Sequence, residues 1–258
     1  MRIHQRALTV LSVTLSCCGS LSFAQARPDP LQIRLIDSPL QYNDMPLTAV
    51  IGRIGVYATG DFVLFGIEVE TVNGQEPKVS VSIPAGSTVR RALMEVVASL
   101  PAYSFEAVRP HLVNVFPVAA RNKPGHLNNL HAAAIRLSGV REEEFLSNPI
   151  RYIPELREAV TGVKVGREGS TTTSGLRADR SPDATGAGLA PPDLELTGVT
   201  VRDNLNIVSA ASIEGAEKGT DIAFGWVYSR EMKSGGTGGG HSWRVHDLWD
   251  PSKRSIGR

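Results

Sequence analysis

Along the first hundred or so residues, apolar and polar positions alternate and recur in periods that name the elements. Leu31 to Ile36 alternates with a period of two, the sign of a half-buried strand. From Pro46 the period changes: Leu47, Val50, Ile51, Ile54 and Tyr57 fall at helical spacing, with Pro46 suited to a first turn and Gly60 as a stop. Phe62 to Val69 (FVLFGIEV) reads as a buried strand. Asn73-Gly74 is a hairpin signal, from which Lys78 to Ile83 is expected to pair back. Ser87 or Thr88 caps the helix TVRRALMEVVASL, whose apolar face is Val89, Leu93, Val96, Val97 and Leu100 and which Pro101 ends. Tyr103 to Val108 and Leu112 to Phe116 follow as two strands around an Arg109-Pro110 turn. The order β-α-β-β-α-β-β predicts an α+β fold of two-layer βαββα units, a split βαβ arrangement with the helices on one face of a mixed sheet.

Past Pro117 the pattern weakens. His126 to Ser138 fits a helix or a segment ending in a strand at Ala134 to Leu137, Arg141 to Leu146 a short acidic helix, and Ile153-Pro154-Glu155-Leu156 opens another apolar segment. From Gly166 to Pro192 small and polar residues dominate, too few of them apolar to offset the entropy of ordering by burial, so 161–192 is expected to be a flexible, disordered linker. The chain thus divides into a leader (1–26), an α+β domain (27–160), the linker (161–192) and a β-α-β-β half-module (193–258).

The half-module echoes the first unit. SVSIPAGSTVRRAL (80–93) and DLELTGVTVRDNL (193–205) both run from a strand into Thr-Val-Arg-x-x-Leu, at Thr88-Val89-Arg90 to Leu93 and Thr200-Val201-Arg202 to Leu205. In each, the threonine caps, the valine and leucine face a sheet, and the arginine is expected in solvent. Aromatic strand pairs follow: Tyr103/Phe105 with Val113/Val115, and Trp226/Tyr228 with Trp243/Val245. The half-module is small for a free-standing core, so it is expected to extend the sheet of the first unit.

This succession over 31–117, and in half-form over 193–249, resembles the secretin and TonB short N-terminal (STN) domain and exported bacterial proteins built from such units. The resemblance implies a periplasmic location and the docking of protein partners. No outer-membrane barrel, plug or secretin core follows here, so the docking module is all that it carries over.

The leader supports export. Arg2 and Arg6 precede an apolar run from Ala7 to Phe23 and a small-x-small site at Ala24-Gln25-Ala26. Cleavage there removes Cys17 and Cys18, the only cysteines, so disulfide and thiol chemistry are not expected; a lipid anchor on Cys17 or Cys18 is the weaker alternative, Leu15-Ser16 being a poor match before the cysteine. Without Arg2 and Arg6 the mature chain carries 25 basic and 26 acidic residues, and no basic cluster calls for nucleic acid. No segment after the leader is long and apolar enough to span a membrane as a helix.

Chemistry is sparse. His241 and His246, five apart on a strand, point to opposite faces and make no zinc set. Glu142-Glu143-Glu144 diverge around a helix, and GGTGGG (235–240) lacks the residues of a phosphate loop. Glu68 and Glu70 share a strand face, but nothing else supports a glycosidase pair, and no Gly-x-Ser-x-Gly elbow is present. Neither cofactor, metal nor catalytic residue is expected. Trp226, Tyr228, Trp243 and Trp249 are the candidate interaction residues, with the core of the half-module as their competing place. The expected function is a non-catalytic periplasmic or secreted docking module of the bacterial cell envelope, with another envelope protein as partner. The alternative is an exported hydrolase whose site is scattered in sequence.

Overall fold

Local sequence chemistry sets the first elements. A 3-10 turn at Pro30–Gln32, capped by the Asp29 carboxylate, precedes strand β1 (Leu40–Pro46), helix α1 (Leu47–Val56), β2 (Leu64–Val72), β3 (Lys78–Ile83), α2 (Val89–Ser99), β4 (Tyr103–Arg109) and β5 (Leu112–Pro117). These are elements of a computed structural model that describes residues 29–59, 62–162, 172–174, 193–197, 199–217, 223–232 and 240–249; the side chains of 172–174, 217 and 246–249 are outside that description. The β-α-β-β-α-β-β order is the expected one. In α1, Leu47, Val50, Ile51 and Ile54 are fully buried, and in α2 the Thr88 hydroxyl oxygen accepts from Arg91 N at 3.2 Å.

Two assignments differ. Leu31, Ile33 and Leu35 are buried, as the alternation requires, but Arg34 and Leu35 make only isolated bridges to Thr88 and Ala58. Leu35 N donates to Ser87 O and Ile36 N to Tyr57 O, so the segment is a strap between the helices and not a strand. The first strand is Leu40–Pro46, hidden in sequence by a bulge around Asp44, whose φ is 53°, and by a closing proline. Lys78–Ile83 pairs with β1, antiparallel, and not back on β2. The turn is local: Val72 and Gln75 exchange two 3.0 Å bonds around Asn73 and Gly74, both at positive φ, and Pro77 then leads the chain away.

The later elements are α3 (Val118–Arg121), β6 (Ile135–Ser138), α4 (Glu142–Ser147), α5 (Pro154–Thr161), β7 (Thr172–Ser174), β8 (Leu194–Leu196), α6 (Val201–Glu217), β9 (Ala223–Met232) and β10 (His241–Trp249). The His126–Ser138 ambiguity resolves to a 3-10 turn at Leu127–Asn129 followed by β6. β6 is the centre of a small sheet, parallel to β7 and antiparallel to β8. Of the expected linker, 163–171 and 175–192 lie outside the described residues.

The central sheet is mixed, in the order β10-β9-β2-β5-β4, with β2 parallel to both β5 and β9 and the two outer pairs antiparallel. The fold is α+β, and residues after 193 add two strands to the sheet of the first unit. Its layering corrects the sequence reading. Phe65, Ile67, Val69, Val113, Val115 and Val227 pack with α1, α2 and the β1–β3 ribbon on one face. The opposite face carries Leu64 and Leu112, packed with Ile213 of α6, and Trp226, Tyr228 and Trp243, packed with α4, α5 and α6. Helices therefore cover both faces. A parallel centre with apolar side chains on both sides demands this, because one helical layer would leave Leu64, Leu112 and Trp226 in water.

The two Thr-Val-Arg-x-x-Leu helices are consequently not equivalent. Val89 and Leu93 of α2 join one core; Val201 and Leu205 of α6 join the other, across the sheet. α2 leads into the edge strand β4, whereas α6 leads into the inner strand β9. The shared motif specifies a capped, one-faced helix and nothing about its neighbours.

Candidate functional site

The aromatic residues singled out from sequence sit inside the molecule. Trp226, Tyr228 and Trp243 are 0, 1 and 7% exposed, and their rings form the core between β9, β10 and the helices. Tyr228 and Trp243 pack with centroids 5.0 Å apart, and the Trp226 indole donates to Asn206 Oδ1 at 3.1 Å. Of the two places weighed for them, they occupy the core and offer no exposed binding face; the Trp249 side chain lies outside the described residues. Burial follows from their strand position: Trp226, Tyr228 and Trp243 share the face that α6 and α4 cover.

The same face holds a polar cluster. Arg202, expected in solvent, is 2% exposed and clamps Glu68, itself 1% exposed. Its Nε donates to Glu68 Oε1 at 2.5 Å, its Nη2 to Oε2 at 3.1 Å, and its Nη1 to Asn129 Oδ1 at 2.6 Å. The equivalent Arg90 of α2 does stay at the surface, 3.5 Å from Asp29. The difference comes from cover: α6 lies between the sheet and the 126–129 turn, so its second residue has no path to water. His126 Nε2 is 3.8 Å from Glu68 Oε2. Burial drives the imidazole down to about 4 against the pull of Glu68, with Arg202 adding to the lowering, so His126 is neutral and this contact is not an ion pair. His126 meets Tyr228 edge-on at 5.4 Å, and the Tyr228 hydroxyl bonds His241 Nδ1 at 2.8 Å. Burial raises the Tyr228 phenol and lowers His241.

Glu70, the other half of the carboxylate pair considered above, donates its backbone N to the Tyr103 hydroxyl at 3.2 Å, while Glu68 is consumed by Arg202. Among the acids of α4, Glu144 accepts from Arg151 at 2.8 Å and from the Tyr152 hydroxyl, and Glu142 is buried. Among the described residues, no three histidine, cysteine, aspartate or glutamate side chains converge as a metal set. Residues 235–239 of the glycine run lie outside the description.

Of the open depressions among the described residues, two gather several ionisable side chains. One of about 410 Å³ lies at the carboxyl ends of β2 and β9, lined by Thr71, Ser229, Glu231, His241, Ser242 and the Arg244–Glu76 pair. The other, of about 320 Å³, runs between the edge strand β4 and α6 and includes Glu106, Arg109, Arg121, Asp203 and Asn206. Sequence reading missed both clefts and the buried clamp. One signal was available: a glutamate inside the apolar run FVLFGIEV requires a buried partner.

No protein-family model, no curated protein and no solved structure matches this chain. No helix among the described residues is long and apolar enough to cross a membrane.

Proposed function

We propose that the chain is an exported, non-catalytic docking module of the bacterial cell envelope, with another envelope protein as its partner. The observation that carries this reading is where the ionisable residues lie. Glu68, Arg202 and His126 are sealed between the sheet and its helices, where they join β2 to α6 and to the 126–129 turn and where no substrate reaches them. What the sheet leaves available is its two edges, β4 and β10, each paired on one side only among the described strands. Open strand edges are the part of a mixed sheet that recruits another chain. The leader and the STN resemblance supply the compartment.

A photo-crosslinking residue at Ala107 on the β4 edge or at Ser242 on the β10 edge, in cells expressing the full chain, tests this directly. A docking module gives a discrete heavier adduct from an edge position and none from Met94 on the exposed side of α2. Adducts from no edge position contradict it. The exported-hydrolase alternative draws on the larger cleft, where His241 and Ser242 stand beside Thr71 and Glu231. Turnover of ester or amide substrates that disappears in His241→Ala would favour it.

A further inference from the structure

The groove between β4 and α6 has walls of unlike kind. One is a strand edge. Val118 N donates to Ala102 O, so Ala102, Ser104 and Glu106 face β5 with their hydrogen bonds, and the alternation of an antiparallel ladder turns the N–H and C=O of Phe105 and Ala107 to the open side. The ladder register shifts after Ala107, and Arg109 stands exposed beyond the shift. The other wall is the first two turns of α6, where Asn206 is 4% exposed. The indole N–H of Trp226 holds Asn206 Oδ1 from beneath, which fixes the amide orientation and leaves Nδ2, without a partner among the described residues, as the group that the groove can use.

The charges of the groove decide what it accepts. Glu106 is neutralised by Arg121 at 2.5 Å. Asp203 is committed to the helix cap, accepting from Thr200 N at 3.2 Å and Thr200 Oγ1 at 2.7 Å. Among the described residues the guanidinium of Arg109 and the Nδ2 donor of Asn206 have no protein acceptor; both can donate to a ligand, and the guanidinium favours an anionic one. We propose that this groove receives an extended peptide of a protein partner, which adds a strand to β4 and sets a carboxylate against Arg109 and Asn206. The inference rests on the docking reading and names its site and the chemistry of its partner.

A random peptide library displayed on phage, selected against the full mature chain, supplies the probe, and the selected peptides are then measured as synthetic fluorescent ligands. Expected are sequences carrying an aspartate or glutamate, bound about tenfold more weakly by Arg109→Glu, with the acid-to-lysine peptide binding that variant better than it binds the wild type. Ala107→Pro, which removes one outward N–H, weakens binding as well, and Asn206→Ala does so without changing the charge preference. Arg109 is exposed, so an unchanged melting curve for Arg109→Glu separates lost binding from lost fold. Selected peptides without acids, peptides indifferent to Arg109→Glu, or peptides displaced by Ser242 substitutions on β10 overturn the groove and leave docking standing. Failure to select any peptide overturns the groove, while the docking reading stands or falls on the crosslinks from the two sheet edges.

Discussion

Trp226 occupies the space in which a side chain on Gly66 would stand: a Cβ on Gly66 would lie 2.5 Å from indole carbons of Trp226 on the adjacent strand. The glycine therefore belongs to the packing of β9 against β2, and the inner strand of the returning hairpin is seated by a residue 160 positions earlier in the chain. Gly66→Ala forces the indole or the strand to move and is expected to cost about 1–3 kcal/mol by overpacking, read as a lower thermal midpoint. Trp226→Ala, which empties the same space and frees Asn206, is expected to cost about 3–5 kcal/mol.

The Glu68–Arg202 clamp predicts a strongly non-additive pair. Removing the guanidinium in Arg202→Met leaves a buried carboxylate without its cation and is expected to cost about 3–5 kcal/mol in chemical denaturation. The double variant Glu68→Leu with Arg202→Met removes both charges and recovers much of that loss. Additive losses would mean that the two groups do not interact in the folded chain.

His126 gives the fold an acid-sensitive joint. Its folded value, about 4, lies below the ordinary 6.5 of an unfolded histidine, so unfolding takes up a proton between those values. The stabilisation is therefore complete above about pH 6.5 and is lost as the pH falls through the window to about 4, by roughly 3 kcal/mol for this group alone. Urea midpoints measured from pH 7 to 4.5 are expected to fall for the wild type and to flatten in His126→Gln. In Arg202→Met a cation that opposes protonation is gone while Glu68 remains, so the His126 ring is expected to titrate at higher pH by NMR.

Glu76 caps α1 and reaches the last strand in one side chain. It accepts from Thr48 N at 3.2 Å and Thr48 Oγ1 at 2.5 Å, and from Arg244 at 2.8 Å. The Arg244 side chain is half-exposed, so water and salt screen the ion pair, and the helix cap is the larger contribution. Glu76→Ala is expected to cost about 1 kcal/mol and Arg244→Ala less than about half of that. Equal losses would assign the stabilisation to the ion pair instead.

Much of this fold was legible wherever one element carries its own signal. Pro46 with the Leu47–Ile54 spacing, Thr88, the Asn73-Gly74 turn and the alternation of Lys78–Ile83 all name their elements, because capping, turn chemistry and periodicity are local. Partner choice was not legible: β3 joins β1, and the two Thr-Val-Arg helices take opposite faces, because neither depends on the residues within the element. The run FVLFGIEV did report two-sided burial, and Glu68 within it marked a hidden cation. Arg202 could not be named as that cation while α6 was read as a copy of α2, whose Arg90 is a surface residue. The groove beside β4 was invisible for the same reason, since Asn206 and Ala107 meet only through the sheet.

Residues after 193 complete one sheet with those before 162 and are locked there by Arg202 on Glu68 and by Trp226 over Gly66. A protease site inserted between Ser174 and Asp193 of the full chain, then cut, tests it most directly. Expected is a nicked protein that elutes as one species and melts in a single transition near that of the intact chain. Two separating fragments, with the first melting unchanged on its own, would contradict it.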